Sequence, residues 1–315
     1  MADLVSGDCG TDTLRTGCVI RRLRQVARAV LVCVLLGVCG SAHADAFVQA
    51  SAQRIVTLAP HLTELTFAAG AGDRLVGTVE FSDWPAAARA LPRVGDAFRL
   101  DEEALAGLHP DLILAWASGN PSVMLDRLQR LGYRVVAMES SGLDSVAAQL
   151  EQIGRLAGTG PVARKAAARF RRRLANLRTR WKAAPRISVF YQVSARPLLT
   201  VSRSHVIGQA LELCGGDNVF ADLPGQVPPV SVEAVLDAAP QAIIASGFGP
   251  GPEPSLQRWM RWQHLPAVEH HNLLVVPADL LSRPGPRLVD GVEAVCHALD
   301  QARDRLYPSG TATAR

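Results

Sequence analysis

Short apolar runs alternate with amphipathic segments along most of this chain. Each run is bounded by polar, Gly or Pro residues, which is typical of buried parallel strands. The segments between the runs carry apolar residues at helical spacing, so the pattern predicts two α/β units in succession. The apolar runs are residues 55–58, 112–115, 135–138, 187–193, 242–245 and 273–276.

A similar module occurs in both halves. Each copy begins at a residue suited to cap a helix, Asp101 or Ser231, and a glutamate follows two residues later, at Glu103 or Glu233. A proline follows seven residues after each glutamate, and a strand comes next. The matched spacing predicts two equivalent lobes related by pseudo-symmetry. Chance similarity between ordinary helix-strand units is the alternative.

Residues 159–185 separate the two modules and have the pattern of one long helix. Pro161 suits the first turn, and Pro185 ends the run. At 1.5 Å per residue, about 23 residues extend roughly 35 Å, so a single stiff helix is expected to join the lobes. Its arginines indicate a solvated face or an anionic partner. The predicted parts are an N-terminal lobe at 45–158, the helix at 159–185, a C-terminal lobe at 186–306 and a disordered tail at 307–315.

The first 44 residues have the features of an export signal. Basic residues precede an apolar stretch at 29–38, and an Ala-His-Ala site follows. We predict cleavage before Asp45, which makes residues 1–44 a signal peptide with an N-terminal extension. The apolar stretch is shorter than the roughly 20 residues of a bilayer-spanning helix. An uncleaved anchor, or lipid attachment at Cys33 or Cys39, are the alternatives.

Cleavage leaves two of the six cysteines, Cys214 and Cys296. In an oxidising compartment two remaining cysteines favour one disulfide, which here closes a loop of about 80 residues. Two separate buried thiols are the alternative.

Charge and motifs exclude several classes of protein. The net charge is +4, and it falls to +2 after residue 44 (28 basic minus 26 acidic residues), so no nucleic-acid partner is expected. No common catalytic motif appears, and the histidines lack the spacing of a zinc site. We therefore expect no catalysis, no metal site and no cofactor of its own. His61, at the end of the first strand, is expected to hydrogen-bond within its loop, and ligation of a metal carried by a cofactor is the alternative.

Aromatic residues are few, and several lie where strands end and a cleft opens. They predict a pocket for a flat, largely apolar ligand, although core packing is the alternative for each. Asp279 and Arg283 flank a loop after the last strand, where they could hydrogen-bond amides or form a simple surface pair. The aromatic residues expected in the cleft are Phe81, Trp84, Phe98 and Trp116.

Three segments carry a resemblance to a known family. The sequence RIVTLAPHLTEL at 54–65, the sequence FSDWP at 81–85 and the sequence LELCGGDNVF at 211–220 resemble the helical-backbone (class III) periplasmic binding proteins, and most closely their cobalamin-binding members. The similarity runs from about Arg54 to about Leu299. It implies two Rossmann-like lobes joined by one rigid helix, with a corrinoid held between them.

The resemblance also implies roles for particular residues. Glu103 and Glu233 correspond to residues that form salt bridges with arginines of the membrane permease dimer, which works with a cytoplasmic ATPase. Phe81 stands where the family has a tyrosine, and Leu199 replaces an aromatic residue. The implied cobalamin contacts are Pro60, His61, Phe81, Trp84, Trp116, Leu199, Asp279, Leu280, Leu281, Ser282 and Arg283.

The sequence thus predicts a monomeric periplasmic protein that captures cobalamin and delivers it to an ABC importer. A ferric siderophore or haem is the alternative ligand, since much of the motif is shared with binders of both. A metal-dependent hydrolase and a structural envelope protein are the alternatives from other classes.

Overall fold

The computed structural model describes residues 51–247 and 253–308. The predicted signal peptide 1–44, its cleavage site before Asp45 and residues 309–315 of the predicted tail lie outside these ranges. The described residues form two four-stranded parallel sheets with helices packed on them, so the predicted α/β class is confirmed. Within them, no helix has the length and apolar character needed to cross a membrane.

The first sheet has the strand order β2-β1-β3-β4, with every pair parallel. Short 3-10 helices at Gly72–Arg74 and Ala86–Ala90 flank β2. This lobe consists of β1 (Ile55–Thr57), α1 (Pro60–Ala68), β2 (Leu75–Gly77), α2 (Glu102–Gly107), β3 (Leu112–Trp116), α3 (Ser122–Arg130), β4 (Val135–Met138) and α4 (Ser145–Leu156).

The second sheet follows one long helix, α5 (Gly160–Trp181). Its strand order is β8-β5-β9-β10, again parallel, and a small antiparallel hairpin, β6-β7, is inserted after its first strand. A 3-10 helix lies at Arg258–Arg261. This lobe consists of β5 (Ile187–Gln192), β6 (Ser194–Ala195), β7 (Leu198–Leu199), α6 (Val206–Leu213), β8 (Gly216–Asn218), α7 (Val232–Ala238), β9 (Ala242–Gly247), α8 (Pro254–Gln257), α9 (Pro266–Glu269), β10 (Leu273–Pro277), α10 (Ala278–Leu281) and α11 (Leu288–Leu306).

Helix α5 is anchored in both lobes. It begins with Pro161 in its first turn and ends at Trp181, before Pro185. The Trp181 indole donates a hydrogen bond to Asp300 of α11 at 2.9 Å. One hydrophobic core runs from the first sheet through this helix to the second sheet. The helix therefore cannot tilt without disturbing the packing of both lobes. The stripe predicted from the sequence is buried: Ala163, Ala167, Phe170, Leu174, Leu177 and Trp181.

The repeated module has the same local geometry in both lobes. The Asp101 carboxylate accepts a hydrogen bond from the Ala104 N–H at 2.9 Å, and the Ser231 hydroxyl accepts one from the Ala234 N–H at 3.1 Å. Both modules then place a left-handed residue directly before the proline, with φ of 44° at His109 and 43° at Ala239. Glycine would adopt this backbone without strain, and neither position holds one.

A disulfide joins Cys214, the residue that follows α6, to Cys296 in α11, as predicted. The two Cα atoms are 4.7 Å apart, and both residues are fully buried. The bond ties the first helix of the second lobe to the last helix of the chain.

Candidate functional site

One wall of the candidate cleft is the loop after β2. Buried hydroxyls of Thr57, Thr63, Thr78 and Ser82 form a cluster, with oxygen separations from 2.6 Å between Thr63 and Thr78 to 3.3 Å between Thr63 and Ser82. Because this cluster fixes Ser82, it also fixes the neighbouring Phe81. Phe81 has a φ of 64°, and 75% of its surface is exposed. The loop thus presents a large aromatic ring to solvent from a rigid support.

Trp116 is the last residue of β3 and is half-buried. The backbone N–H of Trp116 donates a hydrogen bond to the Asn120 Oδ1 atom at 2.7 Å, which anchors the turn that follows the strand. A Cβ atom at Gly119 would lie only 1.9 Å from the Trp116 ring, so glycine is required there for the ring to lie as it does. The indole Nε1–H of Trp116 has no hydrogen-bond partner among the described residues.

His61 packs behind this tryptophan. The two rings meet edge to face, with centroids 5.3 Å apart, and His61 is only 3% exposed. Burial lowers the pKa of His61 to about 3, so the imidazole is neutral. Its Nε2 atom has no partner among the described residues. His61 was predicted to contact a ligand, but the structure makes it the support of Trp116.

The loop after β10 forms the facing wall, and its two predicted amide-binding residues are engaged elsewhere. Arg283 donates to the Asp83 carboxylate of the first lobe at 2.5 Å. Asp279 accepts from Arg287 at 2.9 Å. The surface pair between Asp279 and Arg283, which was the alternative prediction, is not formed, because each finds a different partner of opposite charge.

An ion pair that the sequence analysis missed joins the lobes. Arg287, at the start of α11, donates to both oxygens of Glu64 in α1, at 2.7 Å and 2.9 Å. Glu64 is 3% exposed, and its burial raises the pKa of its carboxyl even though Arg287 counteracts the shift. The guanidinium of Arg287 also lies 4.7 Å above the Trp84 ring. A separation of 223 residues hid this pair from any local pattern.

Trp116 and the loop after β10 line one cavity between the lobes. Leu281 and Ser282 contribute from the predicted loop, and Glu139 and His205 lie in the same lining. The cavity measures about 80 Å³, well below the roughly 300 Å³ at which ligand pockets begin. Both lobes contribute residues to its lining, and we call this cavity the cleft floor.

Several predicted contacts lie outside this cavity. Trp84 lines a separate groove of about 530 Å³ beside α5, together with Arg287. Leu199 is half-buried in β7, where its carbonyl accepts from the Val193 N–H at 2.9 Å. Pro60 opens α1, and Leu280 is half-buried in α10. The structure thus brings Trp116, Leu281 and Ser282 together in one lining and leaves these other residues out of it.

The two module glutamates are exposed and unneutralised. Neither Glu103 nor Glu233 forms an ion pair within the described part of the chain, whereas the adjacent Glu102 pairs with Arg127 at 2.7 Å. Hydrogen bonds from its own backbone and from Ser231 lower the pKa of Glu233, which keeps that carboxylate charged.

No group of three His, Cys, Asp or Glu side chains that could hold a metal ion occurs in residues 51–247 and 253–308. The described residues thus form two α/β lobes that are connected by one long helix and share the cavity of the cleft floor.

Comparison with known proteins agrees with this architecture. A family model described as periplasmic binding protein matches residues 55–280. The chain belongs to this family of periplasmic binding proteins, as the resemblance predicted.

Individual relatives are more specific. The vitamin B12-binding protein of Vibrio cholerae is 38% identical over 275 residues, which cover 87% of this chain and 98% of that protein. The crystal structure of the periplasmic vitamin B12 binding protein of Vibrio cholerae matches with a TM-score of 0.73 and 39% identity, over 80% of this chain and 98% of the other. A periplasmic haem-binding protein from Pseudomonas aeruginosa matches with a TM-score of 0.68 and 27% identity, over 78% and 92%.

Proposed function

We propose that this protein captures cobalamin between its two lobes and delivers it to an ABC importer. The observation that carries the proposal is the cleft floor that Trp116 of the first lobe shares with the loop after β10 of the second. The similarity to vitamin B12-binding proteins over most of the chain supports the same ligand. We infer that the corrin ring lies above this floor, with Trp116 and the exposed Phe81 as candidate apolar contacts.

Haem is the competing ligand, because a haem-binding protein shares the fold. Haem bound by a protein is held through an axial side chain such as His or Tyr. The sequence candidate for that role, His61, is 3% exposed behind Trp116, so its nitrogen is not available to a ligand in the cleft. This arrangement favours a ligand that brings its own axial groups, as cobalamin does.

Calorimetric titration of the mature chain with cyanocobalamin, haem and a ferric siderophore tests the ligand. We expect saturation at one cyanocobalamin per chain and weaker binding of the other two. Trp116→Ala should weaken cyanocobalamin binding by about 30-fold or more, because an aromatic anchor in a cleft typically contributes about 2 kcal/mol or more. Trp262→Ala, which removes a tryptophan from the outer side of the second lobe, is the control. If haem or the siderophore binds more tightly than cyanocobalamin, that compound rather than cobalamin is the ligand.

The module glutamates are the proposed contacts with the permease. Glu103 and Glu233 are exposed, belong to equivalent helices and form no ion pair among the described residues, so two symmetry-related arginine clusters on a permease dimer could pair with them. Glu103→Ala combined with Glu233→Ala should leave cyanocobalamin affinity unchanged and abolish uptake by cells. Glu212→Ala with Glu269→Ala removes two other exposed carboxylates and should spare uptake. Normal transport by the first pair would overturn the docking role.

Residence in the periplasm, after removal of residues 1–44, completes the proposal. The family membership of the chain supports it, and the disulfide is in keeping with an oxidising compartment. Mass spectrometry of the protein recovered from the periplasm should find Asp45 at its N-terminus. A chain retained in the cytoplasm with an intact N-terminus would contradict export.

A further inference from the structure

The cleft floor contains a histidine with an unusual position. His205 is the N-cap of α6, a place usually held by Ser, Thr, Asp or Asn. Its Nδ1 atom accepts a hydrogen bond from the Ile207 N–H at 3.1 Å, so Nδ1 carries no proton. Burial lowers the pKa of His205 to about 4, which keeps the ring neutral. The one remaining proton must therefore be on Nε2, and His205 is a fixed hydrogen-bond donor.

A fixed acceptor stands on the opposite wall. Glu139 follows β4 in the first lobe, and its Oε1 atom accepts from the Ser118 hydroxyl at 2.9 Å and from the Ser140 N–H at 3.1 Å. These two bonds hold the carboxylate in place. Among the described residues, the other oxygen, Oε2, accepts no hydrogen bond and no cation pairs with Glu139. It remains free to accept a hydrogen bond from a ligand.

His205 and Glu139 line the same cavity, beside Trp116. A ligand group placed between them would accept a hydrogen bond from His205 and donate one to Glu139. A primary carboxamide does both, because it has a carbonyl oxygen and an NH₂ group. A carboxylate only accepts, and its charge would be repelled by Glu139.

We propose that Glu139 and His205 form a subsite that selects a peripheral carboxamide of the ligand and rejects a carboxylate in its place. This inference rests on the proposed function, because cobalamin carries several primary carboxamides around its ring. It gives the cleft a means of distinguishing amidated corrinoids from carboxylated tetrapyrroles, including haem, whose peripheral polar groups are carboxylates. Glu139 is an isolated carboxylate and His205 is one of several scattered histidines, so the sequence analysis did not single them out.

Ligands that differ by a single amide test the subsite. Titrations would compare cyanocobalamin with its three monocarboxylic acids, in which the b, d or e propionamide is hydrolysed. We expect the wild-type protein to bind at least one acid about tenfold or more weakly than cyanocobalamin, since one hydrogen bond is lost and a like charge is introduced.

Two variants assign the selectivity to the named residues. Glu139→Gln should weaken cyanocobalamin binding by only about fivefold and remove most of the discrimination, because the amide of glutamine can donate to a carboxylate. His205→Asn should weaken cyanocobalamin binding by about tenfold while thermal stability is kept, since asparagine still caps α6. Glu212→Gln, an exposed carboxylate in α6 itself, should change neither value.

Two results would overturn the subsite while cobalamin binding stands: equal affinities of the wild type for all four ligands, or undiminished discrimination by Glu139→Gln. A wild-type protein that does not bind cyanocobalamin at all would remove the proposed function together with the subsite.

Discussion

The two lobes share one strand order and differ at the start of the helix that follows the first strand. Each lobe has a four-stranded parallel sheet, and the β6-β7 hairpin is not part of it. Counted along the chain, the first strand of each sheet lies between the second and the third, and the fourth pairs with the third. The helix after the first strand is α1 in one lobe and α6 in the other, and each has a histidine at its start. His61 is buried without a partner and supports Trp116, whereas His205 caps its helix and keeps one proton for the cleft.

Under the proposed function, this difference divides the work of binding between the two lobes. The first lobe provides apolar support through Trp116 and Phe81 and the acceptor Glu139. The second provides a donor and the charged loop that closes on the first lobe. The helix after the first strand therefore carries different chemistry in the two lobes, and the strand order alone does not reveal this difference.

The largest expected effect on stability comes from the disulfide. Within the described ranges, only the second lobe contains one. Replacing both Cys214 and Cys296 with Ala should lower the free energy of unfolding by roughly 4.5 kcal/mol, since a closed loop of about 80 residues is released in the unfolded chain. Urea unfolding of oxidised wild type, reduced wild type and the double variant measures this. Reduced wild type should match the variant, and a variant as stable as the oxidised protein would contradict it.

The ion pair between the lobes comes next. Glu64→Ala should cost about 4 kcal/mol, because it leaves the largely buried Arg287 without its main partner. Glu64→Leu combined with Arg287→Met removes both charges and should cost much less, about 1–2 kcal/mol. Equal losses in the single and double variants, measured by urea unfolding, would show that packing rather than charge joins the lobes at this point.

The two helix-start histidines make stability depend on pH in the same direction. Each has an unfolded pKa near 6.5 and a lower pKa when folded, about 3 for His61 and about 4 for His205. Between those values the unfolded chain binds more protons, so stability falls as the pH drops. From pH 7 to pH 5 the loss should be about 2 kcal/mol for each histidine.

His61→Leu and His205→Asn should each remove about half of this histidine-dependent loss. Urea unfolding of the wild type and both variants at pH 7 and pH 5 gives the comparison. If either variant keeps the wild-type pH dependence, then that histidine is not held neutral by burial.

The smallest effect concerns a feature that both lobes share, the left-handed residue before the module proline. His109→Gly and Ala239→Gly should each stabilise the protein by about 0.5 kcal/mol, because relief of backbone strain slightly exceeds the entropy cost of glycine. Ala238→Gly, one residue earlier and in α7, should instead destabilise by about 1 kcal/mol. Thermal unfolding distinguishes these signs, and a loss at His109 or Ala239 would contradict the account.

Local patterns were sufficient to predict the α/β lobes, the buried stripe of α5 and both helix caps. Each of these depends on residues within a few turns of one another. The cysteine pairing was predicted from the two cysteines that remain after the expected cleavage. The Glu64–Arg287 pair and the capture of Arg283 by Asp83 could not be predicted, because they join residues about 200 positions apart through the packing of two lobes. Trp84 was expected in the cleft, but Arg287 holds it in the groove beside α5.

The central claim is that a corrinoid binds between Trp116 and the loop after β10. Crystals of the complex with cyanocobalamin, measured at the cobalt absorption edge, test it directly. The account predicts one cobalt per chain, with the corrin ring between Trp116 and the loop at 279–283. A cobalt in the groove beside α5, or at any other surface of the protein, would contradict it.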